Sequence, residues 1–213
     1  ERLIQRQLEE IYQYDISTNL ELGKFLPEKT GIRIPFYVQY SNVTRLPKYD
    51  PYDLDIILKE KIQEADATDR DSIRDQAQDV TIVRGYNFTN VRKERRGNKK
   101  PMPWDIENFS LTYAFNQQKK RNPFIISDQL NQYKGALDYQ YSTGMKPLEP
   151  FKNSKLNDTY FKWIKDFNFN PIPNTYGFGT SVDRVVQTTT WRFAGEDPKL
   201  NTYYNRRFLW DRN

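Results

Sequence analysis

The sequence predicts an all-β chain, an antiparallel up-and-down meander of about eight strands. Three observations carry that expectation: apolar and polar residues alternate with a period of two, the aromatics sit in those alternating runs rather than in helical stripes, and consecutive runs are joined as neighbours by loops. The aromatics are unusually many, with 15 Tyr, 13 Phe and 4 Trp making up 15% of 213 residues.

The first run is the cleanest. Tyr12, Tyr14, Ile16, Thr18, Leu20 and Leu22 alternate with Gln13, Asp15, Ser17, Asn19 and Glu21. Its length matches the roughly 9–11 residues that a tilted strand needs to cross a bilayer, and the same alternation also suits a half-exposed strand of a soluble sheet. A connection over 23–31 leads to a return run carrying Ile32, Ile34, Phe36, Val38 and Tyr40 on one side. Pro35 lies inside it and cannot donate to a ladder, so it predicts a bulge or a strand that begins only after it.

Residues 42–79 break the pattern and predict a helical loop insertion. Pro47 and Pro51 bracket an acidic corner, followed by charged, helix-favouring stretches over 54–64 and 70–78, the second with a capping-box spacing at Thr68 and Asp71. Asp50, Asp53 and Asp55 are the one candidate metal cluster, weak because the glycine and distal glutamate of a calcium loop are missing; helix capping and a solvated loop are the other account.

Strands resume with Val80, Ile82, Tyr86 and Phe88, where Arg84 beside Gly85 predicts a bulge. The chain's one basic cluster follows, with Arg92, Lys93, Arg95, Arg96, Lys99 and Lys100. It has no interleaved aromatics for base stacking, so no nucleic-acid partner is expected; it reads as a solvated hairpin tip or as a rim facing lipid phosphates. Phe109, Leu111, Tyr113 and Phe115 then alternate with polar residues, and Leu137, Tyr139 and Tyr141 do so again. A short amphipathic turn is expected between Leu156 and Asp166.

In the last third, Pro171 and Pro173 end one segment and start another. Tyr176, Phe178, Thr180 and Val182 share a face, Thr189, Trp191 and Phe193 repeat the pattern, and Phe208 with Trp210 repeats it again. The alternation stops at Asn213 without a turn or polar tail, as expected of an excised piece, for which the lack of a signal peptide carries no information about export.

Composition narrows the function. No Cys and no His are present, which removes thiol and Ser-His nucleophiles and the commonest transition-metal sites and leaves carboxylates, Lys and Tyr as the only catalysts. No enzyme activity and no cofactor are expected. A mean hydropathy of −0.92 with 37% hydrophobic residues is poor in aliphatics for a core of this size. No apolar run approaches the ~20 residues of a membrane helix, which says nothing against a membrane β-barrel.

The strings GKFLPEKTGIRIPFYVQYS, LPKYDPYDLDI, FTNVRKE, KKPMPWDIENFSLTYAF, KDFNFNPIPNTYGF and YNRRFLWDRN, in this order, resemble the SprA/Sov family, the outer-membrane translocon of type IX secretion in Bacteroidota. The resemblance runs from about Leu20 to Asn213. It implies that residues 1–213 are a segment of one much larger transmembrane β-barrel in the bacterial outer membrane. It also implies export of folded cargo proteins and a link to gliding motility. The implied partners are the other segments of the same barrel, a PorV-like shuttle barrel, a plug protein, the cargo and outer-membrane lipid.

A large barrel has a wet lumen. The polar face, with Asp15, Ser17, Asn19, Thr112, Asp138 and Gln140, is then expected to line the conduit. Tyr12, Tyr14, Ile16, Leu20, Phe109, Leu111, Tyr113, Leu137 and Tyr139 are expected to meet lipid or a partner. The rival from another class is a soluble carbohydrate-binding β-sandwich in which Trp104, Trp163, Trp191 and Trp210 stack on sugar rings. A glycosidase would need two carboxylates across a cleft, and no pair stands out.

Overall fold

The computed structural model describes residues 8–97, 100–144, 147–151, 166–192 and 201–212. Seven long strands form one antiparallel sheet: β1 (Glu9–Glu21), β3 (Pro35–Pro47), β6 (Asp79–Lys93), β7 (Phe109–Arg121), β8 (Ile125–Ser142), β9 (Thr175–Trp191) and β10 (Thr202–Arg212). They lie side by side in chain order, and the two-residue β2 (Ile32–Arg33) joins the same sheet on β6, giving eight strands. The sheet is open, with β1 and β10 as its edges.

The proline of the return run acts as a boundary. Pro35 opens β3 opposite Glu21, so the segment divides there: Ile32 and Arg33 pair with Lys93 and Arg92 of β6, while Phe36 onward pairs with both β1 and β6. Glu21 secures the turn by accepting from Ile34 N–H at 2.7 Å. Gly31, at φ 66°, supplies the left-handed residue that reverses the chain after the 3-10 turn Glu28–Thr30.

Two expectations about strands are corrected. The bulge in β6 lies between Phe88 and Val91, not at Arg84 and Gly85. There Asn90 takes φ 56° and donates its N–H to Thr112 Oγ1 at 3.0 Å. Gly85 sits in regular register, where a Cβ would come within 2.8 Å of Asn116 Oδ1; the glycine makes room for side chains on the flanking strands. The runs at 176–183 and 188–191 are one strand, paired to β8 along its length from Thr175 to Trp191, so the meander has seven long strands and reaches eight only through β2. Phe193 and residues 156–165 lie outside the described residues.

The insertion is also shorter than 42–79, because β3 continues through Pro47, paired with β1 over its whole length and with β6 as far as Arg45. Beyond it come a hairpin of β4 (Tyr49–Asp50) and β5 (Asp53–Ile57), then α1 (Leu58–Glu64) and α2 (Ala67–Ala77). Thr68 lies within α2 rather than capping it; Asp66 holds the cap position without a side-chain cap bond. Leu58 and Ala77 are buried here, and with Val80 they are the buried apolar side chains among the described residues. Arg121 of β7 meets Asp75 of α2 at 3.0 Å, and Tyr52 donates to Pro123 O at 2.8 Å, so the insertion is tied to the sheet's end near the β7–β8 turn.

Candidate functional site

The sheet is a single layer, so its two faces define every surface it offers. The other sheet contains β4 and β5 alone, and no second layer covers the meander among the described residues. This removes the stacked sheets on which a β-sandwich depends. The tryptophans of that rival reading also fail to converge: Trp104 is in the loop before β7, Trp191 at the opposite end of the sheet, and Trp210 on β10. Trp163 lies outside the described residues.

Register assigns the side chains to faces. Tyr12, Tyr14, Ile16 and Leu20 pair with Thr44, Asn42, Tyr40 and Phe36, and Phe109, Leu111 and Tyr113 pair with Tyr139, Leu137 and Gly135. Following the ladder through β6 puts all nine residues expected to meet lipid or a partner on one face. Asp15, Ser17, Asn19, Thr112, Asp138 and Gln140 fall together on the other. Rings on the first face meet between strands, with centroids 4.7 Å apart for Phe36 and Phe88 and 5.0 Å for both Phe115–Tyr133 and Phe109–Tyr139. Cross-strand aromatic pairs of this kind hold a sheet laterally. The same face is bare: Ile16 is 65% and Trp210 62% exposed.

The apolar surface runs obliquely to the hydrogen-bond rows. One row joins Ile16, Tyr40, Arg84, Gln117, Asn131 and Val186 from β1 to β9. On β1 the apolar stretch is centred on Ile16 itself, and on β3 on Val38. On β6 the part beyond Arg84, from Tyr86 to Val91, is centred on Phe88, with Val80 and Ile82 set apart on the other side of Arg84; on β7 it is centred near Thr112, on β8 at Leu137 and on β9 near Gly179. The displacement grows at every step to about seven residues at β9, roughly 1.4 residues per strand. With a rise of ~3.4 Å per residue and strands ~4.8 Å apart, the belt lies about 45° from the rows. Only β10 departs, with Phe208 and Trp210 two and four residues from its row member Arg206.

Polar and basic side chains follow the belt's lower border on the same face: Asn42, Arg84, Gln117, Lys119, Asn131 and Arg184. Sequence reading missed this set, although its members share parity with the aromatics of their own strands.

The basic cluster is not a free positive surface. Arg92 and Arg33 both meet Glu94, at 3.7 and 2.7 Å, Lys93 meets Glu107 at 2.8 Å and Arg95 meets Asp105 at 2.9 Å. The bond from Lys93 holds the Glu107 carboxyl below its ordinary value. Arg96 and Lys100 make no ion pair among the described residues, and Lys99 lies outside them. Pairing therefore spends half of this cluster on fastening the loop before β7.

The aspartate cluster is corrected as well. Asp50 is 1% exposed and bound by Lys61, while Asp53 is exposed and accepts from Asp55 N–H at 3.2 Å. An ammonium thus occupies the carboxylate that a cation would have needed, and no group of three ligating side chains forms among the described residues.

A family model described as motility related/secretion protein, SprA_N, matches residues 1–62, which take in β1 through most of α1. Residues 63–213 lie outside that match. No curated protein matches the chain. The matched family ties the N-terminal part of this chain to motility and secretion in general terms.

Proposed function

We propose that this chain is an arc of an outer-membrane β-barrel that conducts folded proteins to the cell surface in type IX secretion and gliding motility. The observation that carries the reading is the oblique belt. Strands that cross a bilayer in a barrel tilt by about 35–45°, and their outward apolar residues form a band level with the membrane. On a sheet of tilted strands such a band must climb relative to the hydrogen-bond rows, as this one does by about 45°. A soluble sheet packed on a core has no reason to stagger its apolar stretches in this way. The ordered motifs shared with the translocon family and the motility/secretion match over residues 1–62 support the same reading.

In this reading the bare aromatic face meets lipid, and the face carrying Asp15, Ser17, Asn19, Thr112, Asp138 and Gln140 lines a wet conduit. Polar side chains there suit passing cargo because they keep their water and offer no apolar surface to hold it. The edges β1 and β10 pair with further strands of the same barrel. A shuttle barrel and a plug protein act at its mouth and lumen, and the chain performs no catalytic step.

Single cysteines test this in the intact protein. Cargo stalled in transit should cross-link to Asp138→Cys and not to its chain neighbour Leu137→Cys, which points the other way. Equal cross-linking at both, or none at either, overturns the assignment of the conduit face.

A further inference from the structure

We infer that the basic row beneath the aromatic belt, Arg84, Lys119, Arg184 and Arg206, is a binding surface for the phosphates of anionic membrane lipid. The inference rests on the barrel reading and adds a specific lipid class to its outer surface. Acidic charge is divided sharply between the faces from β3 to β10. From β3 to β10 the aromatic face carries seven cations, Arg84, Lys93, Lys119, Arg121, Arg184, Arg206 and Arg212, and no carboxylate. Across the same strands the opposite face carries Asp79, Asp128, Asp138, Asp183 and Asp211 beside Arg45, Arg92, Lys120, Lys134 and Arg207, so its cations are balanced by acids and those of the aromatic face are not.

The cations are also free to take a ligand. Lys93 is engaged by Glu107 and Arg121 by Asp75, and Arg212 lies over the Trp210 ring at 4.9 Å. Arg84, Lys119, Arg184 and Arg206 make no ion pair among the described residues. The intervening amides do not compensate, because Gln117 and Gln129 both donate to Asn131 Oδ1, at 2.9 and 3.2 Å. Arg84 stands against the Tyr40 ring at 5.6 Å, and its buried Nε has no hydrogen-bond partner.

Depth completes the argument. Arg84 is the next residue on this face after Tyr86, and Arg184 the next after Val182, so both flank the belt's lower border; Lys119 lies four residues beyond Phe115. With the belt level in a bilayer, these side chains reach the headgroup layer, where aromatic rings and long basic stems carry a charge out of the hydrocarbon. An oxyanion there gains the guanidinium and ammonium donors without competing with any carboxylate of the same face between β3 and β10.

The test uses the intact protein, comparing wild type with Lys119→Gln/Arg184→Gln and with the opposite-face control Lys134→Gln/Arg207→Gln. Each is reconstituted in vesicles of phosphatidylcholine with or without phosphatidylglycerol, re-extracted, and its retained lipid counted by native mass spectrometry. Wild type and the control should retain phosphatidylglycerol over phosphatidylcholine, and the Lys119/Arg184 variant should lose at least about tenfold of that preference while still inserting. Single Lys119→Gln, at an exposed position, should show a smaller loss in the same direction. Insertion without any lipid preference in wild type, an unchanged preference in the variant, or complete displacement by inorganic phosphate alone would overturn the lipid site and leave the barrel standing. Failure of wild type to insert would overturn both.

Discussion

The carboxylate of Asp50 and the ammonium of Lys61 form an ion pair in which the acid is buried, its side chain 2% exposed, while the base reaches solvent at 37%. Asp50 also accepts from Tyr52 N–H at 3.0 Å, so one side chain joins the β4–β5 turn to α1. Burial pushes the Asp50 carboxyl up, but the bond from Lys61, the bond from Tyr52 and the Lys61 charge together bring it below the ordinary carboxylate value.

A carboxyl depressed in the folded state stabilises that state fully above its unfolded value of about 4, and the contribution is lost as pH falls through the folded value. The insertion should therefore loosen only in acid, below about pH 4. Lys61→Met, which leaves the buried carboxylate without its cation, should cost about 3 kcal/mol locally. Asp50→Asn should cost about 1–2 kcal/mol. Hydrogen exchange over 48–78 in the intact protein reads both. Unchanged exchange in Lys61→Met would remove the pair from the insertion's stability.

The loop before β7 gives a second prediction. Asp105 takes Arg95 and also Met102 N–H, both at 2.9 Å, and Asn108 donates to Met102 O at 2.7 Å. Arg95 and Asp105 are each 26% exposed, so Arg95→Ala should cost this loop about 1 kcal/mol, at the upper end for a partly solvated pair. Faster protease cleavage within 94–108, with the rest of the protein unaffected, is the expected outcome. High salt should reproduce part of the effect in wild type.

Legibility in the sequence followed the solvent on each side of a strand. The halves of β1, β7 and β8 that carry one aromatic and one polar face could be read from alternation, and the faces named from it agree with the register except at Leu22, which lies past the end of β1 in a 3-10 turn. The halves beyond the belt could not. Residues 116–121 of β7, and all of 127–132 of β8 but Leu130, are polar on both faces, so period two vanishes although ladder bonds run on to Lys120 and Asp128. The cationic row was hidden for the same reason, since it lies where the belt has ended. The oblique belt itself needs register, because stagger between strands is invisible in any single run. Pairing of Lys93 with Glu107 and of Arg95 with Asp105 brings together residues ten or more positions apart, which a local charge count cannot anticipate.

Expressed by itself, this chain should aggregate in buffer without detergent. Thirteen residues of β1 and eleven of β10 present unpaired backbone edges, and the aromatic face is uncovered. Exposed edges template pairing with other chains, and a bare apolar face drives association. Analytical sedimentation decides the matter. A monodisperse monomer that melts cooperatively would contradict the arc and revive a soluble module.

The last prediction separates an oblique belt from one that follows the hydrogen-bond rows. Ile16 and Gln117 stand in the same row, linked through Tyr40 and Arg84, yet the oblique belt puts Ile16 at mid-depth and Gln117 below the lower border. Leu137 on β8 is six residues beyond that row at Asn131, yet the oblique belt returns it to mid-depth. A cation at the bilayer midplane of a barrel costs roughly 2–4 kcal/mol, falling to ~0–1 near the interface. Ile16→Arg and Leu137→Arg should therefore both carry the large penalty, and Gln117→Arg the small one. Asn19→Arg, on the opposite face, should assemble normally. Folding titrations of the intact protein into bilayers measure these differences directly. If Ile16→Arg and Gln117→Arg cost the same while Leu137→Arg differs, the rows and not the oblique line are level with the membrane, and the tilt of about 45° is wrong.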